Sequence, residues 1–233
     1  LILNKNNEIT EIVEYKDANS EQKKIQLCNS GIMLVDNHVL RKLLPKIKAN
    51  NKKKEYYLTD IVGLAKKNNY KIDYVESDFF TTFGINTGEE LSIAENYFQN
   101  LFRKKFISSG VRLLDPKSVF FSYDTKINKD VVIEPNVFFG SKVIVKENVI
   151  IKSFSHLEGV RIMKNAVVGP FARLRPGTIV GSNSQIGNFV ELKNTSIKNN
   201  SKVNHLTYLG DTEVGTNVNI GAGTITCNYD GFK

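Results

Sequence analysis

Between Gly169 and Asp230 the chain gathers side chains suited to moving a proton beside a bound anion. A nucleophile that must lose a proton as it attacks calls for a base whose pKa lies near the operating pH. His205 is the only histidine among these dense polar motifs; His38 falls in a helical stretch and His156 among loop-like residues. A lone histidine can equally be a hydrogen-bonded structural residue, so residue type nominates His205 without assigning it. A phosphate-bearing substrate would add a need for cations. Arg175 and Lys193 stand 18 positions apart; a guanidinium grips phosphate oxygens as a fork, and an ammonium adds a point charge. Solvated surface charge is the competing reading of such a pair. Tyr208 lies three residues past His205 and Asn219 lies 14 past it, while Asn228 and Tyr229 belong to the string CNYDG.

What must position these residues is a repeat. From residue 127 an apolar side chain recurs every six positions: Ile127, Ile133, Phe139, Val145, Ile151 and Leu157. After five-residue steps the series resumes as Ile162, Val168, Leu174, Val180, Ile186, Leu192, then Ile197, Val203, Leu209, then Val214, Ile220, Thr226. Neither a helical period nor strand alternation explains a six-residue period held over about 100 residues. Three hexads make one turn of 17 or 18 residues, so the series predicts roughly six turns of a parallel β-helix of triangular section. Arg175 and Lys193, one turn apart, would then stand side by side on one face, which weighs against unrelated surface charge. Each repeat residue should point inward. Glycine follows it at 140, 169, 181, 187, 210, 215 and 221, where backbone angles closed to other residues are expected. CNYDG interrupts the hexads, so a loop leaving the solenoid body is expected there.

Residues 1 to about 108 read differently. Strands are expected at Ile9 to Glu14, Leu27 to Val35 and Tyr70 to Val75, and helices at Val39 to Ile47 and Thr59 to Lys67. That alternation suggests an α/β domain. From Gly88 to Phe106 the apolar residues Leu91, Ala94, Phe98, Leu101, Phe102 and Phe106 form a helical stripe running into Ser108-Ser109-Gly110. The boundaries that follow are an α/β region at 1–87, a linker helix at 88–110 and the solenoid at 111–233.

The 233 residues are 41% hydrophobic and 24% charged, the profile of a folded globular chain. No run approaches the roughly 18 apolar residues of a membrane-spanning helix. Cys28 and Cys227 lie far apart and form no CxxC pair, which argues for a reducing, cytoplasmic setting over a disulfide framework. A net charge of +8 could suit nucleic acid. Lysine dominates, however, and no basic motif interleaved with aromatics occurs, so a solvated surface favouring anionic small molecules is the better reading. The chain opens on Leu1 and stops at Lys233 inside an uncapped repeat, so a fragment of a longer protein is expected.

Four strings in order, GPFARLRPG (169–177), GNFVELK (187–193), HLTYLGD (205–211) and NVNIGAGTITCNYDG (217–231), resemble the bacterial bifunctional N-acetylglucosamine-1-phosphate uridylyltransferase / glucosamine-1-phosphate N-acetyltransferase family. Upstream, IVEYKDA (12–18), CNSGI (28–32), EYYLTD (55–60) and GINT (84–87) resemble the later half of that family's uridylyltransferase domain. The resemblance implies the C-terminal half of a Rossmann-like α/β nucleotidyltransferase domain, followed by a left-handed parallel β-helix of hexapeptide repeats. It implies acetyl transfer from acetyl-CoA to glucosamine-1-phosphate, then Mg²⁺-dependent uridylyl transfer from UTP to N-acetylglucosamine-1-phosphate with release of diphosphate. His205 would be the catalytic base, and Arg175, Lys193, Tyr208, Asn219, Asn228 and Tyr229 would form the acceptor pocket. Glu14 and Asn29 would bind the N-acetylglucosamine part, and Asn86 would bind substrate and help hold Mg²⁺. A homotrimer with shared acetyltransferase sites is also implied. Read without the resemblance, Glu14 is an acidic residue at a strand end and Asn29 a turn former. The phosphate-cradling glycine loop such transfer needs is missing from this chain, and the family's other metal ligand and its later acetyl-CoA coils have no counterpart here. Both sites are therefore expected to be incomplete, and Lys233 receives no role.

Three other readings compete. A zinc hydratase on a hexad solenoid needs closely spaced histidines, and His38, His156 and His205 are scattered. An inert solenoid predicts no clustering of Arg, Lys, His, Tyr and Asn on one stretch. A single-activity nucleotidyltransferase with an oligomerising solenoid is the runner-up, and the pairing of HLTYLGD with CNYDG argues against it.

Overall fold

The computed structural model describes residues 1–232; Lys233 lies outside the described residues. The chain forms two compact units, Leu1–Asn86 and the remainder from Thr87.

The first unit holds one antiparallel strand pair, Ile2–Leu3 with Ile9–Glu11, and two helices, α1 (Asn37–Leu43) and α2 (Asp60–Lys67). The Asp36 carboxylate starts α1 by accepting from the amides of His38 and Val39, two of the donors a helix start leaves unpaired. Ile9, Leu43, Ile47 and Ile61 are buried. Two expected strands do not form. Residues 27–35 and 70–75 are irregular, and the strand expected from Ile9 to Glu14 keeps only Ile9–Glu11. A strand is stable only where a neighbour completes its hydrogen-bond ladder, and among the described residues neither segment has one. Their apolar side chains Leu34 and Val75 lie open to solvent. The α/β alternation read from the sequence is thus corrected, for these residues, to two helices and a two-stranded ribbon, without a parallel sheet.

The second unit opens with α3 (Gly88–Ser108), begun by a capping box in which Thr87 and Glu90 each accept from the other's amide. Its buried face differs from the expected apolar stripe. Leu91, Phe98 and Leu101 are about half exposed, while Ala94, Gln99, Arg103 and Phe106 are buried. The reason is the edge α3 covers. The strand Phe120–Phe121 pairs with Phe138–Phe139 on one side only. On its other side the Gln99 amide donates to the Phe121 carbonyl at 2.8 Å and accepts from the Phe121 amide at 2.9 Å. Arg103 donates to the Val119 carbonyl at 3.0 and 3.2 Å and to that of Lys117 at 3.3 Å. Burial pulls the Arg103 pKa below its ordinary value, while Asp115 and Glu95 act the other way. Phe106 closes the end of the core, its ring 4.8 Å from that of Phe121. Polar side chains of a helix here stand in for a missing strand.

Beyond this cap the chain winds through three rows of short parallel strands. One row runs from Arg112–Leu113, a second from Phe120–Phe121 and a third from Lys126–Ile127. Every hexad position from Ile127 to Val214 is buried; Ile220 and Thr226 are only partly covered. The coil begins before Ile127: Phe121, one hexad earlier, and Leu113 both point inward. The 3₁₀ turn Pro116–Ser118 between them breaks the spacing. A second inward position lies two residues before each hexad residue and is always small: Val131, Val137, Val143 and Val149 early, Thr178, Ser184, Thr195 and Ser201 later. The hydroxyls at these later positions donate to carbonyls of the next coil, at 3.3 Å (Thr178 to Leu192), 2.8 Å (Ser184 to Lys198), 3.0 Å (Thr195 to Leu209) and 2.7 Å (Ser201 to Gly215). Buried hydroxyls satisfied in this way carry no desolvation penalty.

The corner glycines require a correction. From Ile133 onward, left-handed backbone falls three residues before each hexad residue, mostly at Asn or Asp such as Asp130, Asn136, Asn148, Asn165, Asn183 and Asn200. Of the glycines that follow a hexad residue, only Gly169 has a positive φ. The other glycines answer a different demand: a Cβ on Gly181 would lie 2.6 Å from the Lys198 carbonyl carbon, and one on Gly187 would lie 2.0 Å from the Asn204 oxygen.

Candidate active site

Two strands build the site. Gln185–Lys193 and Lys202–Gly210 each run nine residues where the other strands of the solenoid have two, and the ladder between them continues around a corner. At that corner Phe189 and Leu206 take φ of 54° and 46°, a region that bulky residues resist. Phe154, Phe171 and Phe189 stack there in a column, with ring centroids 4.9 and 5.3 Å apart. Each stacked pair offsets part of that backbone strain.

His205 lies just before the corner, exposed, and pairs in register with Asn188 of the preceding coil. Its Nδ1 is 2.9 Å from the Asn188 amide oxygen. Past the corner, register aligns Arg173, Glu191 and Tyr208. Arg175 comes next after the Leu174–Leu192 pair, beside Lys193 and Gly210. Arg175 contacts the Glu191 carboxylate at 3.1 Å, and Arg173 reaches the same oxygen at 3.9 Å. Gly210 keeps this row open: a Cβ there would lie 2.5 Å from both the Tyr208 hydroxyl and the Asn228 amide nitrogen. Asn228 donates to Asp211, as does Asn194 at 2.8 Å. The Asn194 and Asn228 bonds, aided by the Lys193 charge and opposed by desolvation, hold the Asp211 carboxyl below its ordinary value. A depressed carboxylate pKa contributes its stabilisation above the usual range and loses it as pH falls through the lowered value. The segment therefore loosens on the acid side.

Not every nominated residue joins this row. Asn219 pairs with Lys202 on the face before the corner, whereas Arg175 and Lys193 lie past it. Tyr229 is largely exposed, and the chain leaves the ladder after the Thr226 amide donates to the Tyr208 carbonyl. His156 is a ladder residue, stacked on Phe138 at 4.8 Å, and His38 sits in the first turn of α1. A cleft of about 570 Å³ lies on the third face among Lys126, Lys142 and Arg161. Its lining includes none of the nominated residues and no histidine.

In the first unit, Glu14 accepts from the Thr59 hydroxyl at 3.3 Å, Asn29 lies half-buried in the irregular 27–35 segment, and Asn86 is exposed at the end of the unit. Among the described residues no group of three His, Cys, Asp or Glu gathers to hold a metal ion. Asn86 offers one neutral oxygen, which does not by itself fit Mg²⁺, a hard ion that demands an octahedron of oxygens.

The chain aligns from end to end with curated proteins. Bifunctional protein GlmU of Zymomonas mobilis subsp. mobilis is 47% identical over 233 residues, which is 100% of this chain and 52% of that protein. Bifunctional protein GlmU of Bartonella bacilliformis is 48% identical over 232 residues, with the same coverage. The chain is a homologue of the bifunctional GlmU proteins. It spans about half the length of the GlmU relatives it matches. Residues 159–194 match the family described as bacterial transferase hexapeptide (six repeats), and the solenoid is accordingly the left-handed parallel β-helix of such repeats. Among solved structures, a mutant of GDP-perosamine N-acetyl transferase from Caulobacter crescentus, in complex with CoA and GDP-perosamine, is 16% identical. The alignment covers 57% of this chain and 63% of that one, with a TM-score of 0.45, too loose to bear on function. No helix among the described residues is long and apolar enough to cross a membrane.

Asn188, Glu191 and Asp211 were not singled out in the sequence. The signal was nonetheless there: Asn188 precedes His205 by 17 residues and Glu191 precedes Tyr208 by 17, one turn in each case.

Proposed function

We propose that the solenoid transfers the acetyl group of acetyl-CoA to the amine of glucosamine-1-phosphate. One observation carries the reading: His205 stands at a corner between two faces, with the cations and hydrogen-bond donors of Arg175, Lys193, Tyr208 and Asn228 aligned on the second. His205 takes a proton from the amine as its nitrogen attacks the thioester carbonyl, and the imidazolium returns that proton to the departing CoA thiolate. Arg175 and Lys193 hold the phosphate as fork and point charge. Tyr208, Asn228 and Tyr229 line the sugar on that side and Asn219 on the other. Glu191, paired with Arg175, keeps the guanidinium on the face where the phosphate arrives.

For the whole protein we propose the second GlmU activity as well, uridylyl transfer from UTP to N-acetylglucosamine-1-phosphate with release of diphosphate. Residues 1–87 would be the later half of a Rossmann-like domain, with Glu14 and Asn29 on the N-acetylglucosamine and Asn86 donating one oxygen toward Mg²⁺. Residues 88–110 would link it to the acetyltransferase solenoid at 111–233. The flat faces of a triangular solenoid suit a closed homotrimer, and the setting is cytoplasmic. The product would serve as a precursor for cell-wall and lipid-linked sugars.

The test is His205→Ala in the full-length protein, assayed for both reactions. Acetyl transfer should fall by about 10³-fold while uridylyl transfer is unchanged. Equal loss of both would overturn the division of labour, and retained acetyl transfer would remove His205 as the base.

A further inference from the structure

The contact between His205 and Asn188 has a consequence for which ring nitrogen can act. Asn188 lies directly across the ladder from His205, one turn back along the chain, so the backbone register fixes the separation of the two side chains. The Asn188 amide oxygen is 2.9 Å from Nδ1. An amide oxygen can only accept, so the ring nitrogen facing it must carry the proton, and in the neutral ring the lone pair is then on Nε2. We propose that Asn188 is a positioning residue that holds His205 as the Nδ1–H tautomer, leaving Nε2 as the base. This rests on the acetyl-transfer reading for its catalytic meaning.

The choice of an amide over a carboxylate matters. Either group would accept from Nδ1–H and orient the ring. A carboxylate would also stabilise the imidazolium and raise the ring pKa, so that the base would stay protonated to higher pH. An amide fixes the tautomer without adding that charge. The packed elements supply few other charges. The strand of Asn188 carries Glu191 and Lys193, the strand of His205 carries Lys202, and residues 217–224 of the following coil carry none.

The experiment uses the full-length protein labelled with ¹⁵N at histidine, with the His205 signals identified by their loss in His205→Ala. In the unaltered protein the neutral ring should show a protonated Nδ1 and an unprotonated Nε2. Asn188→Ala should shift it toward the Nε2–H form that free imidazole side chains prefer. It should also lower kcat for acetyl transfer by about 10-fold, as loss of an orienting partner does at other sites, with KM for glucosamine-1-phosphate within about twofold. Asn188→Asp should restore the Nδ1–H tautomer and move the acid limb of the pH–rate profile to higher pH. An Nε2–H ring in the unaltered protein overturns the proposal, as does an Asn188→Ala protein with tautomer and kcat unchanged. Acetyl transfer that survives His205→Ala overturns the functional reading instead, and with it the catalytic half of this one; the tautomer signals still decide the positioning half.

Discussion

Leu192 and Leu34 are the same side chain in two regions of one chain. Leu192, in the solenoid, has 0% of its surface exposed, and Leu34, in the first unit, has 102%. Intrinsic residue preference is identical at the two positions, so the difference lies in where each backbone finds its partners. In the solenoid from Phe120 onward the neighbouring strand is 17 or 18 residues away, as in Val167 with Gln185 or Gln185 with Lys202. Each new coil covers the core left open by the last. The segment around Leu34 would need a partner strand at no fixed distance, and none stands beside it among the described residues. For a segment in extended conformation, apolar character therefore becomes burial where the ladder is supplied.

Truncating a leucine in the solenoid is the largest test of this contrast. Leu192→Ala should destabilise the chain by about 2–5 kcal/mol, read from urea unfolding followed by circular dichroism. Leu192 faces the core between Leu174 and Leu209, and the rigid stack above and below cannot collapse into the cavity. A loss below about 1 kcal/mol would mean that the coils slide to refill it. The next effect separates two uses of glycine. Gly187→Ala places a methyl group 2.0 Å from the Asn204 oxygen and should cost about 2–3 kcal/mol as overpacking. Gly221→Ala meets nothing within 4 Å and should stay within about 0.5 kcal/mol. Equal effects would return the explanation to backbone angle, against the φ values.

The same contrast explains what could be read in the sequence. The hexad series from Ile127 to Val214 is a local code, and it located the core residue by residue. The small inward positions escaped because Val, Ala, Ser and Thr share no property except size; their signal is the fixed offset from the hexad residue. Leu113 escaped because the Pro116–Ser118 turn breaks the spacing to Phe121, whereas Phe121 lies one hexad before Ile127 and continues the series. In α3 the apolar stripe misled, since the edge of a sheet needs hydrogen-bond partners more than it needs leucine. At the site, one-turn spacing did place Arg175 beside Lys193, but it did not show that the corner separates Asn219 from them. That separation depends on which strand of the triangle each residue joins. Strands at 27–35 and 70–75 were read from local pattern alone, and a strand cannot be established that way.

Gln99 tests the cap at the start of the solenoid. Its amide both donates to and accepts from Phe121, so Gln99→Ala leaves two backbone groups unpaired at an edge otherwise sealed by α3. The expected loss is about 1–2 kcal/mol, accompanied by faster hydrogen exchange at the Phe121 amide. Gln99→Glu should recover the accepting half of the interaction only. A variant as stable as the parent would mean that water satisfies this edge and that α3 is held by Phe106 and the Arg103 bonds.

The smallest effect is expected at Leu34. Because the side chain is already exposed in the folded state, Leu34→Ser changes almost nothing on unfolding, and stability should stay within about 0.5 kcal/mol. Solubility should improve, since an exposed apolar side chain is removed from an unpaired segment. Measured in the same urea titration as Leu192→Ala, this variant gives the contrast its sharpest form: one residue type and two regions, with a difference of several kcal/mol set by ladder partners alone. Should Leu34→Ser destabilise the chain as much as Leu192→Ala does, residues 27–35 are covered in solution. The contrast would then be one of which partner covers each segment, with both leucines buried.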